Sequence, residues 1–259
     1  MIRALYTSGW SMRANNKQMD IVSNNLANVS TNGYKKDTVV YESFPEVMVR
    51  RINDTRSTLN PSGKVGNLQF GNDVGEVFTY FTGGQLNRTD SSLDLAIGNS
   101  DSAFFSIGVP DENGGITEYY TRNGSFVLNS QGQLVTSEGY FVLGINGPIT
   151  LEGENFTVLD DGSIVQNEEI VARLVIRDFA DTTTLRKYGN NLIQTTEETQ
   201  EQEFTGVVKQ GYIEQSNVNA INEMINMITV LRSYEANQKV VQALDGTLEK
   251  AVNEVGVVR

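Results

Sequence analysis

Neither cysteine nor histidine occurs among the 259 residues of this chain. Without cysteine there is no disulfide, thiolate nucleophile or sulfur-bound metal. Without histidine there is no Ser-His-Asp triad, no Cys-His pair and no imidazole ligand. Chemistry is left to carboxylates, Lys, Tyr, Ser and Thr, so most common catalytic routes are closed. Basic clusters are missing as well. Lys35-Lys36 and Arg50-Arg51 stand as isolated pairs on a chain of net charge −12. Such a surface repels nucleic acid and is disfavoured at anionic membranes. No apolar run approaches the roughly 18 to 20 residues of a membrane-spanning helix. The opening Met1 to Ser8 breaks up before a signal-peptide core can form. The expectation is a cytoplasmic protein, or one exported by a route that cleaves nothing.

What the chain does have is a matched pair of apolar heptads at its ends. Leu5, Met12, Met19 and Leu26 fall seven residues apart, along one stripe of a helix spanning residues 2 to about 29. Asn32-Gly33 signals its end, being suited to the left-handed conformation that stops helices. Met224, Met227, Leu231, Tyr234, Val241, Leu248, Val252 and Val255 follow the three-and-four spacing of a coiled-coil seam. That second helix starts after Ser216, Asn217 and Asn219, with Glu223 in its first turn, and runs to about Val255. Ile221, Ile225 and Ile228 widen its apolar face, and Asp245-Gly246 interrupts the seam.

Between the ends the pattern is strands and turns. Val39-Val40-Tyr41, Val47-Met48-Val49 and Val74 to Phe81 read as strands, and Asn53 to Gly66 as a long loop. From Leu86 to about Thr205, short apolar segments such as Phe126-Val127-Leu128, Tyr140 to Leu143 and Ala172 to Ile176 alternate with turn pairs. The turns include Asn123-Gly124, Gln131-Gly132, Glu138-Gly139 and Asp161-Gly162. This density argues for an antiparallel sheet or small barrel. The acidic run Glu197 to Glu203 reads as a solvated loop.

Two classes of function compete. Narrow terminal stripes flanked by Asn and Gln favour self-assembly, with the two helices paired and their amides free to bond to neighbouring copies. The rival is a stand-alone β-rich glycan-binding module or hydrolase. Its carboxylates would come from Asp94, Asp101, Asp111-Glu112 and Asp160-Asp161. Most of these sit beside Gly, Asn or Ser in expected turns, where Asp serves the backbone. Ser62-Gly63-Lys64 echoes the end of a phosphate-binding loop, but Thr58 replaces its first glycine. No catalytic, cofactor or metal residue is assigned.

The stretch Asn24-Asn25-Leu26-Ala27-Asn28-Val29-Ser30-Thr31-Asn32-Gly33-Tyr34-Lys35 closely resembles the N-terminal signature of bacterial flagellar rod and hook proteins. Three further stretches follow in the family's order: Gly84-Gln85-Leu86 with Leu93 to Ile97 and Phe104-Phe105; Tyr120 to Phe126 with Gly132-Gln133-Leu134; and Gly211-Tyr212-Ile213-Glu214-Gln215-Ser216-Asn217-Val218-Asn219 leading to Arg232-Ser233-Tyr234-Glu235. The loop Gly98 to Ala103 departs from the family's shorter glycine turn, and Phe44 to Gly75 matches no family segment.

The resemblance implies an α+β fold. Residues 1–33 and 215–259 would form a paired-helix, coiled-coil core domain. Residues 34–85 would be an extended linker, and 86–214 a mainly antiparallel outer β domain. It implies a non-enzymatic structural subunit of the flagellar basal-body rod, exported without a cleaved signal peptide, assembling as a helical homo-oligomer that transmits torque. Other rod and hook subunits and the export apparatus are its implied partners; nucleic acid, membrane insertion and cofactors are not. Length and the opening segments lean towards the distal rod type, while Val142 to Pro148 resembles proximal members, and a hook-type subunit is the further alternative. The expected assembly interface is Leu5, Met12, Met19, Asn24, Asn25, Leu26, Asn28, Met224, Met227, Leu231, Tyr234, Val241 and Leu248.

Overall fold

In the computed structural model, which describes residues 2–50, 64–111, 115–153, 155–189 and 191–255, the chain folds as two units built from interleaved segments. A terminal unit takes residues 1–24, 38–78 and 221–259, and a β unit takes 25–37 and 79–220. The class is α+β, with a mainly antiparallel sheet.

Helix α1 (Ile2–Ala27) and helix α2 (Ala220–Lys250) form most of the terminal unit. Asp245-Gly246 does not break α2, which continues into a π-helical turn at Ala251–Val255. Strand β1 (Asp37–Ser43) pairs with β4 (Asn72–Thr79). Between them β2 (Val47–Arg50) and β3 (Lys64–Leu68) form an antiparallel pair, with Val47 opposite Leu68. The expected loop Asn53 to Gly66 falls mainly on residues outside those described, and Lys64 to Gly66 belong to β3. Aromatic and ionic contacts tie the strands to α1. Phe44 meets Trp10 edge-on at 4.8 Å. Asp73 lies 3.6 Å from Arg13 and 4.0 Å from Lys17.

The β unit is organised around one strand. After β5 (Leu86–Arg88) and β6 (Leu95–Gly98), strand β7 (Ala103–Pro110) pairs with β8 (Ile116–Thr121) on one side. Strands β9 (Phe126–Leu128), β10 (Leu134–Thr136) and β11 (Phe141–Gly144) follow as a meander, with Gly132 and Gly139 at positive φ in the turns. β11 closes on the other side of β7 and also pairs with β12 (Gly147–Pro148). Because side chains alternate across a strand, the paired phenylalanines of β7 point to opposite faces. Phe105 enters the larger core with Leu95, Phe126 and Leu134, whereas Phe104 joins Phe81, Tyr120 and Phe179 in a second core.

β13 (Thr157–Val158), β14 (Ser163–Gln166) and β15 (Glu169–Arg173) make a separate three-stranded sheet. The expected strand Ala172 to Ile176 is therefore split: Ala172 ends in β15, and Ile176 starts β16 (Ile176–Phe179), which returns to β7. β17 (Arg186–Tyr188) and β18 (Leu192–Gln194) extend the β8 side. The acidic run is not all loop, since β19 (Glu201–Gln202) pairs with β16. β20 (Val207–Gln210) pairs with β6, and β21 (Tyr212–Glu214) with β5. The strand region thus extends past Thr205 as two separate strand pairs, β20 with β6 and β21 with β5, and the main sheet is open and branched among the described residues.

Candidate assembly site

On α1 the heptad residues Leu5, Met12, Met19 and Leu26 are partly sheltered, and the residues between them complete the seam. Ser8 and Val22 are buried and Asn15 is partly so, giving the 3-4 alternation of a helix-packing stripe. Along α2 and the turn after it, Glu223, Met227, Val230, Tyr234, Asn237, Val241, Leu244, Leu248 and Ala251 are sheltered, again at 4-3 spacing, and Gly246 is sheltered beside that stripe. Met227, Tyr234, Val241 and Leu248 lie on this stripe. Met224 and Leu231, expected beside them, are 45% and 46% exposed, on a flank shared with exposed Ile221, Ile225 and Ile228. Val252 is exposed as well, and the Val255 side chain lies outside the described set. A hydrogen bond from Asn15 Nδ2 to Ser233 Oγ, 3.0 Å, joins the two helices. Sequence periodicity overlooked Ser8, Asn15, Glu223 and Asn237 because a hydrophobic stripe does not count polar residues.

The signature asparagines occupy three environments. Asn24 is exposed. Asn25 is fully engaged inside the β unit: its Nδ2 donates to the Asp37 carbonyl at 2.7 Å, and its Oδ1 accepts from the Asp37 N–H and the Tyr34 hydroxyl. Asn28 Oδ1 accepts from Thr31 in a local turn. Gly33 is not the helix stop, because α1 already ends at Ala27. Its φ of +68° serves a close approach, where a Cβ would stand 2.4 Å from the Asn123 nitrogen.

Beyond Gly33 lies a buried ionic clasp. Lys35 Nζ donates to Glu214 Oε1 and to the Thr82 carbonyl, both at 2.7 Å. Arg122 Nε donates to Glu214 Oε2, and its Nη groups donate to the carbonyls of Ala103, Ser100 and Ile97. The Gly84 N–H donates to Glu214 Oε1 at 2.7 Å. All three ionised side chains are buried, Glu214 at 1% exposure, Lys35 at 2% and Arg122 at 3%. Burial pulls the Glu214 carboxyl upward, but Arg122 and Lys35 outweigh it and hold the group below the ordinary carboxylate range. Lys35 moves down instead, because burial outweighs the pull of Glu214 and Arg122 adds repulsion.

Lys187 secures the same segment from another side. Its ammonium is 2.9 Å from Asp37 and 4.0 Å from the Tyr34 ring centroid, and it donates to the Lys35 carbonyl. Asn217, expected as a helix cap, accepts from the Lys36 N–H at 2.7 Å and donates to the Tyr80 carbonyl. Asp161, weighed as a glycosidase carboxylate, accepts from the Ser163 N–H and hydroxyl in its own turn. Those bonds hold its carboxyl below the usual range. Among the described residues no helix is long and apolar enough to cross a membrane.

Three family descriptions match the chain in order. Residues 5–35 match "Flagella basal body rod protein", residues 100–168 match "Flagellar hook protein FlgE/F/G D1 domain", and residues 209–254 match "Flagellar basal body rod FlgEFG protein C-terminal". The flagellar basal-body rod protein FlgG of Buchnera aphidicola from Acyrthosiphon pisum is 38% identical over 96% of this chain and 98% of its own. FlgG of Borreliella burgdorferi is 33% identical over 98% of both chains. The flagellar hook-basal body complex protein FlhO of Bacillus subtilis is 30% identical over 99% of both. The signature, the three matched segments and these full-length likenesses agree: the chain belongs to the flagellar basal-body rod proteins, as a structural subunit of the rod.

Proposed function

We propose that this subunit packs with copies of itself into a helical tube that carries torque from motor to hook. Residues 1–33 and 215–259 form its core, with α1 and α2 paired along their stripes as a coiled coil. Residues 34–85 link this core to an outer layer of residues 86–214. The role is mechanical, without catalysis. The subunit leaves the cell through the flagellar export apparatus uncleaved, and abuts other rod and hook subunits in the basal body. Its length and opening segments favour the distal type.

The observation that carries this reading is the second apolar face of α2. Its sheltered stripe is already covered, yet Ile221, Met224, Ile225, Ile228 and Leu231 stay exposed on the adjoining flank. A helix apolar on two faces is built for burial on both. Charge agrees. The terminal unit carries 11 Lys and Arg against 11 Asp and Glu, so its copies can approach without net repulsion.

Ile225→Asp tests the face. Because Ile225 is already exposed, helix content by circular dichroism should be unchanged. Self-association in sedimentation runs should weaken by roughly tenfold or more, the scale of a lost interface anchor. Cells carrying only this variant should lack hooks and filaments. Normal filaments and swimming would rule the face out.

A further inference from the structure

Four hydrogen bonds that seat residues 33–36 come from two residues near the other end of the chain, Glu214 and Asn217. The Gly33 N–H donates to the Glu214 carbonyl at 2.8 Å, and the Asn217 N–H donates to the Tyr34 carbonyl at 3.4 Å. Lys35 Nζ reaches the Glu214 carboxylate, and the Lys36 N–H reaches Asn217 Oδ1. Residues 33–36 belong to no strand of their own. Glu214 and Asn217 hold them, together with Asn25 on the Tyr34 hydroxyl, Thr82 on the Lys35 ammonium and Lys187 on the Lys35 carbonyl.

The third partner of the clasp behaves differently. Arg122 is fixed by the wall of the β unit, through the Ile97, Ser100 and Ala103 carbonyls between β6 and β7. Those carbonyls satisfy its N–H groups but carry no full negative charge. Glu214 brings the anion when β21 pairs with β5, a pairing continued by the Gln215 N–H on the Gln85 carbonyl, 2.9 Å. Before that strand arrives, seating Lys35 would bury a second cation beside Arg122 with no bonded carboxylate and only the weaker pull of exposed Asp101, which is strongly unfavourable. Afterwards one carboxylate serves both.

We infer that the clasp sets the order of folding: the signature segment, first in the chain, seats only after β21 has placed Glu214 between Arg122 and Lys35. The clasp thereby makes docking of residues 33–36 conditional on arrival of the chain's last strand. A chain lacking that strand keeps its N-terminal segment unseated, so a finished dock reports that β21 is in place. The device stands on geometry within the β unit and does not depend on whether copies assemble.

Hydrogen exchange on the full-length protein tests it. Lys35→Met leaves Arg122 and Glu214 as a matched pair, so the amides of β7 should stay protected. The Gly33 and Lys36 amides should exchange at least about tenfold faster. Glu214→Gln strands both cations and should unseat the segment at least as strongly. Should that variant also unfold β7, the Lys35→Met result decides alone. Wild-type protection at Gly33 and Lys36 in Lys35→Met would overturn the clasp. Order is read by pulse labelling during refolding of the wild-type chain. Gly33 and Lys36 should gain protection no earlier than Gln215, and protection of Gly33 or Lys36 before Gln215 would overturn the conditional order.

Discussion

Glu214 concentrates several constraints in one side chain. A carboxylate at 1% exposure persists only with its charge matched and its lone pairs filled. Two cations and the Gly84 N–H do both. Its folded-state pKa is depressed, so its contribution is present above the unfolded-chain value and is lost as pH falls through the folded one. Acid should therefore unseat residues 33–36 while the carboxyl takes up its proton, and Glu214→Gln should flatten that acid limb in a stability-versus-pH series. An unchanged limb would mean that other carboxylates govern it. Gly33 is constrained just as locally. Gly33→Ala places a Cβ against the Asn123 nitrogen at positive φ and should cost about 1–3 kcal/mol in urea unfolding. Three of the four motif stretches each contribute one ionised member of the clasp, Lys35, Arg122 or Glu214. A charged residue repeated among otherwise apolar or amide motifs was the available signal. Nothing local says that the three meet, because Lys35 and Glu214 stand 179 residues apart.

At the scale of elements, β7 shows how alternation becomes architecture. Its paired phenylalanines face opposite ways, into two separate cores. Phe104→Ala and Phe105→Ala should each destabilise the β unit by about 3–5 kcal/mol, and the losses should add because the cavities are separate. Urea unfolding of the single and double variants measures this, and strongly sub-additive losses would mean one continuous core. The helices were legible because heptad spacing is local. Which flank of α2 is covered was not. Met224 and Leu231 are as apolar as Met227 and Tyr234, and only packing separates them. The expected strand Ala172 to Ile176 divided for a related reason. The Leu174 N–H donates to the Gly162 carbonyl and the Val175 N–H to the Leu143 carbonyl, so the chain changes sheets within the expected strand.

Over the whole molecule, charge is distributed by unit. The β unit holds 9 basic and 21 acidic residues, so the entire net charge of −12 resides there, beside a neutral terminal unit. In the proposed assembly, neighbouring copies of the β unit would repel one another while apolar helix faces attract. Self-association should strengthen when salt rises from about 0.01 to about 0.1 M, as the screening length falls from about 30 to about 10 Å. Weaker association over that range would place attractive ion pairs at the interface instead.

The sequence alone determined that this chain has helical ends, a strand-rich middle and few routes to catalysis. Those features rest on spacing, turn chemistry and composition, each readable within a few residues. Its motifs also carried the resemblance that the family matches bear out. Tertiary structure decided which helix flanks are covered, that Asn25 and Asn217 are bound inside the chain, and that Lys35, Arg122 and Glu214 share one buried site. Burial and ion pairing depend on which distant residues arrive at the same place, and that is a property of the folded chain.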